Sequence, residues 1–293
     1  MKQFEGKVAA ITGAGSGIGQ ALALALAAER CHLALSDIDE AGLADTARQA
    51  KQLGVEVSTH QVDVSQRQQM EDWAQAIVAH HGKVNMIFNN AGVGQGGTVS
   101  GTDYADYEWV MAINFWGVIY GTKVFMPYLE QSGDGHVVNI SSVLGIMTTP
   151  MTSAYCASKF AVRGFTESLR QELDMLDNGV SATCVHPGGI KTNIAQTSRM
   201  SESASDVSGV SASETSALFE KHVLNMTPAN AAKIILDAVR HNRRRVLVGK
   251  DAKALDAMQR SAPSRYQTVV TAVMSRLRAQ SGGVPSLKAL LKG

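Results

Sequence analysis

The stretch Thr12-Gly-Ala-Gly-Ser-Gly-Ile-Gly19 constrains the fold more than any other part of the chain. It follows a short apolar run, Val8–Thr12, and precedes a strong helix former, Gln20–Ala28. Glycines in that place permit a tight turn, close approach of backbone to a ligand, and close packing of helix on sheet. The helix that starts there offers unpaired N–H groups and the positive end of its dipole, which suits a pyrophosphate. The spacing is Gly13-x-x-x-Gly17-x-Gly19; the commoner G-x-G-x-x-G does not fit, because Ile18 and Gln20 occupy its third position in either register. Gly13, Gly15, Ser16, Gly17, Ile18 and Gly19 are therefore candidate phosphate contacts. The alternative at this point is a Gly-rich turn with a structural role only.

The rest of the chain continues the same rhythm. Strand-like runs at His32–Ser36, Val55–Val62, Val84–Phe88, Gly135–Ile140, Val180–Val185 and Arg245–Val248 alternate with helical stretches. The helical stretches are Ala41–Leu53, Arg67–His80, about Tyr107–Leu129, and Tyr155–Leu176. Strands alternating with helices predict an α/β fold: a Rossmann-like, doubly wound parallel sheet of about seven strands. In such a fold Asp37, at the end of the second strand, can accept both ribose hydroxyls of an adenosine and would repel a 2′-phosphate. No Lys or Arg follows it directly, and Ser16 stands where a basic residue could. The expectation is NAD over NADP, against the alternative of a plain surface aspartate.

A second constellation lies in Ser153-Ala-Tyr-Cys-Ala-Ser-Lys159. Residues four apart share a helix face. An ammonium at about 4 Å is worth ~4 kcal/mol at an effective dielectric of 20, enough to draw a phenol from its usual pKa near 10 toward neutrality. Tyr155 could then exchange protons near pH 7. Taken alone, the pair also reads as a surface tyrosine and lysine on one face.

Taken together, these features resemble the short-chain dehydrogenase/reductases, in their single-domain branch. The matching residues are Thr12–Gly19, Asp37, Asp63-Val64, Asn89-Asn-Ala-Gly92, Asn114, Ser141-Ser142, Tyr155-x-x-x-Lys159 and Pro187-Gly-Gly-Ile-Lys-Thr192. They span roughly residues 5–250, in the family's order. The resemblance implies a catalytic set of Asn114, Ser142, Tyr155 and Lys159. Ser142 would hydrogen-bond the substrate oxygen, and Tyr155 would exchange a proton with it. Lys159 would lower the tyrosine pKa and bind the nicotinamide ribose, and Asn114, in a helix, would hold a water. Asp63 and Val64 resemble adenine contacts, and Asn90, with Ala91 and Gly92, lies beside the cofactor ribose. Pro187, Gly188, Ile190 and Thr192 resemble the segment that touches the carboxamide. The helices bearing Asn114 and Tyr155 would pair in a homodimer or homotetramer.

The substrate side is read from composition. Val143–Thr152 is apolar, with Met147 and Met151, and contains no Lys or Arg. Val143, Leu144, Met147, Met151 and Gly189 are the expected pocket residues, for a neutral, hydrophobic alcohol and its ketone or aldehyde. Thr197–Ser216, rich in Ser and Ala, reads as a surface loop or as a lid within about 192–227. Eight histidines show no metal-site spacing, and three separated cysteines fit no disulfide framework. With no signal-like start, a cytoplasmic protein is expected.

Charge is unevenly spread. From Arg240 onward there are twelve basic and two acidic residues, leaving 15 of the 27 basic and 24 of the 26 acidic residues in the first 239. Residues 251–293 are expected to form a basic helical extension beyond a catalytic domain at 1–250. In it, Tyr266, Val269, Val270, Val273 and Leu277 recur at helical spacing. That helix could pack on the acidic body of its own or a neighbouring subunit, or make peripheral contact with an anionic membrane. No nucleic-acid module is recognisable. The alternatives to an NAD-preferring enzyme are an NADPH-preferring carbonyl reductase and a dinucleotide-sensing scaffold without turnover.

Overall fold

The structure is a computed structural model that describes Met1, residues 3–211, Glu214 and residues 225–280. Seven parallel strands form one sheet: β1 (Val8–Thr12), β2 (His32–Asp37), β3 (Val57–Gln61), β4 (Met86–Asn89), β6 (Gly135–Ile140), β7 (Val180–Pro187) and β9 (Arg245–Val248). Their order is β3-β2-β1-β4-β6-β7-β9. β5 (Gln95–Gly96) and β8 (Arg199–Met200) form a separate parallel pair. Alternate residues of each central strand feed opposite cores: Ala9 and Ile11 on one face of β1, Val8 and Ala10 on the other. Burial on both faces explains why β1 and β4 read as nearly continuous apolar runs.

The first core is covered by α1 (Gly17–Ala28), α2 (Glu40–Lys51) and α9 (Pro228–Arg240). The second is covered by α3 (Arg67–His81), α5 (Gly117–Gln131) and α6 (Ser153–Leu176). Local chemistry sets several ends. Asp39 accepts from Ala41 N–H at 3.1 Å before α2, and Gly82 ends α3 at φ +71°. Thr227 caps α9, with Pro228 in its first turn. Strand order reverses between β1 and β4, so a crevice opens at their carboxyl ends. Thr12–Gly19, Asp37, Asn89–Gly92, Ser142 and Pro187 all lie at that edge.

Two expectations change in detail. The single helix expected around Tyr107–Leu129 is α4 (Tyr104–Met111), a π turn (Ala112–Trp116) and α5. The inserted residue swings Asn114 to full burial, where its side chain serves another segment. The part of the expected lid that is described is seated. α7 (Ile194–Thr197), β8 and α8 (Ala204–Ser208) lie on residues 94–101. Ser201 N–H donates to Gly96 O at 2.8 Å. The Arg199 guanidinium sits 3.8 Å from the Trp109 ring centroid and 3.0 Å from Asp106 Oδ1. A Cβ on Gly96 would lie 2.3 Å from Met200 Sδ, so the bed is shaped for this segment. Most of the remainder of 192–227, through residue 224, falls outside the described residues.

Beyond the sheet, α10 (Lys250–Ser261) and α11 (Tyr266–Gln280) form the extension. They pack on the body through Ala252, Leu255, Met258, Tyr266 and Val270. No helix among the described residues is long and apolar enough to cross a membrane.

Candidate active site

The Gly-rich turn is shaped on all sides. Gly13 has φ +64°, and a Cβ there would lie 2.9 Å from Ala91 Cα. A Cβ on Gly19 would lie 2.0 Å from the Gly13 carbonyl oxygen. Only glycine admits these approaches. Asn90 braces the turn: its Nδ2 donates to Thr12 O at 2.9 Å and Gly13 O at 3.1 Å. Thr12 Oγ1 accepts from Asn90 N–H and Ala91 N–H, both at 3.0 Å. Ser16 makes no side-chain cap hydrogen bond, so its hydroxyl leaves the first-turn amides of α1 to another acceptor. Ile18 anchors the same helix in the first core. These are the features of a cradle that fits a dinucleotide pyrophosphate.

Asp37 stands at the rim of that cradle, half-buried. Its Oδ2 accepts from Gly15 N–H at 2.8 Å and its Oδ1 from Asp39 N–H at 3.0 Å. Asp39 and Glu40 follow it, both exposed, so the rim is anionic. Asp63 Oδ1 accepts from Ser65 N–H and Oγ, at 2.9 and 2.7 Å. Val64 is buried against Gly117, where a Cβ would come within 2.8 Å. Across the crevice the turn after β7 returns toward the cradle: a Cβ on Gly17 would lie 3.0 Å from Thr192 Cγ2. Ile190 is held there by a bridge to Met226.

Tyr155 and Lys159 share one face at the start of α6. The Lys159 ammonium lies 5.6 Å from the Tyr155 ring centroid. It is buried and donates to Ile140 O at 3.1 Å. Burial pushes Lys159 down to about 8 and Tyr155 up to about 12, while the Ser142 hydroxyl pulls the phenol the other way. The tyrosine therefore differs from the expectation of a lowered pKa. Burial raises the phenol, only the Ser142 hydrogen bond lowers it, and the Lys159 ammonium is engaged on the Ile140 carbonyl instead. Ser142, two residues beyond β6, has extended backbone, and its Oγ accepts from Leu144 N–H at 3.1 Å. The same hydroxyl hydrogen-bonds the Tyr155 phenol, so serine and tyrosine oxygens stand side by side.

Asn114 ties this cluster to the cradle. Its Oδ1 accepts from Val93 N–H at 2.8 Å; its Nδ2 donates to Val93 O at 2.9 Å and Ser158 Oγ at 3.1 Å. A Cβ on Gly92 would lie 3.1 Å from Asn114 Oδ1 and 3.3 Å from Lys159 Nζ. Ala91 and Gly92 thus thread between cradle and lysine.

Three contacts were not visible in the sequence. His186 Nδ1 donates to Ser142 O at 2.9 Å. The ring is fully buried, and burial pushes it down to about 4, so it is neutral. A carbonyl only accepts, which fixes the proton on Nδ1; Nε2 is buried without a partner among the described residues. Gly189 N–H donates to Asp251 Oδ2 at 2.7 Å. The Tyr266 hydroxyl takes Thr148 N–H at 3.2 Å and bonds Thr148 Oγ1 at 3.1 Å. Of the residues expected to line the substrate pocket, Val143 and Met147 pack with Ala252 and Tyr266, and Leu144 borders that cluster. Met151 has φ +66°, and its carbonyl accepts from Gly97 N–H at 2.8 Å.

This fold and cleft define a class, and comparison with known proteins gives it. The family model described as short chain dehydrogenase matches residues 7–203. The chain belongs to the short-chain dehydrogenase/reductase family and is an oxidoreductase of that family. It is 46% identical over 276 residues to a Mycobacterium tuberculosis (strain H37Rv) protein provisionally named oxidoreductase SadH, covering 94% of this chain and 98% of that one. Human estradiol 17-beta-dehydrogenase 11 is 36% identical over 192 residues, 65% of this chain and 64% of the relative. A Burkholderia phymatum short-chain dehydrogenase/reductase, solved in complex with NAD, superposes with TM-score 0.82 at 31% identity, covering 91% of this chain and 97% of that one. Solved structures of this fold hold NAD or 5-hydroxy-NADP.

Proposed function

We propose that the protein interconverts a neutral, hydrophobic alcohol and its ketone or aldehyde, with NAD(H) as the preferred partner. The observation that carries this reading is the grouping of Ser142, Tyr155 and Lys159 at the carboxyl end of the sheet, beside a glycine cradle rimmed by Asp37. Bound NAD would accept or supply the hydride. Gly13–Gly19 would hold its pyrophosphate and Asp37 its adenosine ribose. Asp63, Val64 and Asn90 would border adenine and ribose. Pro187, Gly188, Ile190 and Thr192 would face the carboxamide.

The chain's own groups then divide the remaining work. The Ser142 hydroxyl donates to the substrate oxygen. Tyr155 takes the alcohol proton as phenolate, or gives it to the carbonyl oxygen as phenol. Lys159, once near the phenolate, stabilises it, and Asn114 holds residues 92–93 in place beside it. A hydrophobic substrate is supported by Val143–Thr152, which has no cationic side chain to pair with an anion. It is supported too by the human relative, which is named for estradiol. The exposed Trp116 and Phe160, on the π turn and α6, favour self-association through those helices.

The test is absorbance of the reduced nicotinamide with NAD and then NADP, over secondary alcohols and ketones from small to steroid-sized. Tyr155→Phe should bind NADH as the parent does and lose turnover by ~100-fold or more. Full turnover in that variant would remove Tyr155 from the chemistry.

A further inference from the structure

We propose that the C-terminal extension is a working part of the active site, in which Tyr266 and Asp251 are positioning residues for the two segments that flank Tyr155. The inference rests on the proposed function for what those segments contact, but its geometry stands apart from it. The first turn of α10 carries Asp251, whose Oδ2 accepts from Gly189 N–H at 2.7 Å. Glycine makes room for this carboxylate on both sides. A Cβ on Gly188 would lie 2.2 Å from Asp251 Oδ2, and one on Gly249 would lie 2.2 Å from Oδ1. The turn after β7 and the first turn of α10 are thus fitted to each other.

The second pin lies on the other segment. Tyr266 opens α11, is 5% exposed, and turns its hydroxyl onto Thr148. Its ring joins Val143, Met147 and Ala252 in one small core, separate from the two that cover the sheet. Thr148 sits in the middle of the 142–152 segment, between Ser142 and Tyr155. The extension is in turn clamped to the sheet: Asp256 on α10 pairs with Arg245 of β9 and, at 2.9 Å, with Arg260. α11 also packs on α8, the seated part of the 192–211 segment. A helix pair that served only as an address would need none of these polar contacts. As placed, it sets the wall behind Val143–Thr148 and the height of the Gly188–Gly189 turn.

The two pins separate experimentally in the full-length chain. Tyr266→Phe keeps the ring and removes the acceptor for Thr148 N–H. Amide hydrogen exchange over 143–152 should rise roughly 2- to 10-fold, the worth of one hydrogen bond. The ratio of kcat/KM for a bulky over a small ketone should move by a similar factor, with NADH affinity unchanged. Asp251→Ala should speed exchange over 187–191 and weaken NADH binding. Asp251→Asn, which still offers an oxygen to Gly189 N–H, should restore both. The idea fails if Tyr266→Phe shifts only the melting temperature, with exchange and substrate ratio as in the parent. It also fails if Asp251→Asn behaves as Asp251→Ala. A parent protein with no turnover on any ketone would sink the proposed function, while the exchange and NADH measurements would still decide the positioning roles.

Discussion

Cofactor choice should be controlled by one charge, that of Asp37. Its Oδ2 accepts from Gly15 N–H at 2.8 Å, so the carboxylate is held against the cradle. A 2′-phosphate carries a charge of about −1.5 to −2. At ~5 Å from one carboxylate, each unit of that charge is repelled by ~0.8 kcal/mol in bulk water and ~3 kcal/mol at an effective dielectric of 20. Multiplied by that charge, the limits are about 1 and 6 kcal/mol; a half-buried rim lies toward the lower part, about 1–4 kcal/mol, or roughly 5- to 1,000-fold in binding. Asp37→Asn is the informative variant. It removes the charge but keeps an oxygen for Gly15 N–H, so the cradle stays braced. The ratio of kcat/KM for NADP over NAD should rise by roughly 10-fold or more, and less at high salt, where surface charges are screened. Asp37→Ala should shift the ratio the same way while weakening both cofactors, because Gly15 N–H loses its acceptor. Initial rates at several ionic strengths check this. An unchanged ratio in Asp37→Asn would refute the charge as the selector.

Three further outcomes follow from the buried groups. Lys159 sits at about 8, below its ordinary 10.5, so the folded chain disfavours its charge. That cost is fully present below pH 8, amounts to about 3 kcal/mol, and fades as pH rises toward 10.5. Lys159→Met should therefore lose turnover yet melt higher than the parent at pH 7, with the gap closing by pH 10; differential scanning fluorimetry across pH reads it. Because Tyr155 is pushed up to about 12, phenolate is scarce at neutral pH. Alcohol oxidation should climb through the alkaline range, while ketone reduction stays level and then falls; pH–rate profiles in both directions check the sign. His186→Leu removes the donor to Ser142 O and should lower kcat about 10-fold, with NADH affinity kept. His186→Asn, whose amide can donate there, should recover part of it, and equal loss in both variants would reduce His186 to packing.

What was legible in the sequence depended on the range of each contact. Gly13–Gly19 needs its glycines within one turn, and Tyr155 with Lys159 within one turn of helix, so both announce themselves locally. The alternation of strand-like and helical runs was enough for seven parallel strands, because positions buried on both faces of a sheet are mostly apolar, with exceptions such as His136, Asn139 and His186. The π turn at Ala112–Trp116 has no compositional mark. It answers to Val93 and Ser158, 21 and 44 residues from Asn114. His186 stands next to Pro187-Gly188 in the sequence, but its partner Ser142 lies 44 residues away. Asp251 reaches back 62 residues and Tyr266 118. The extension reads in sequence as a basic amphipathic helix, but its apolar stripe is divided between two directions. Val269 and Val273 of that stripe are about half exposed, while Tyr266 and Val270 turn inward. The residues that do the chemistry and those that hold them obey different rules. A proton donor must sit at a set place on its own element, whereas a positioning residue need only arrive from wherever the chain ends up. If Tyr266 and Asp251 act as proposed, selectivity in this protein is set from the part of the chain farthest in sequence from the cradle, and it can change there without disturbing the catalytic residues.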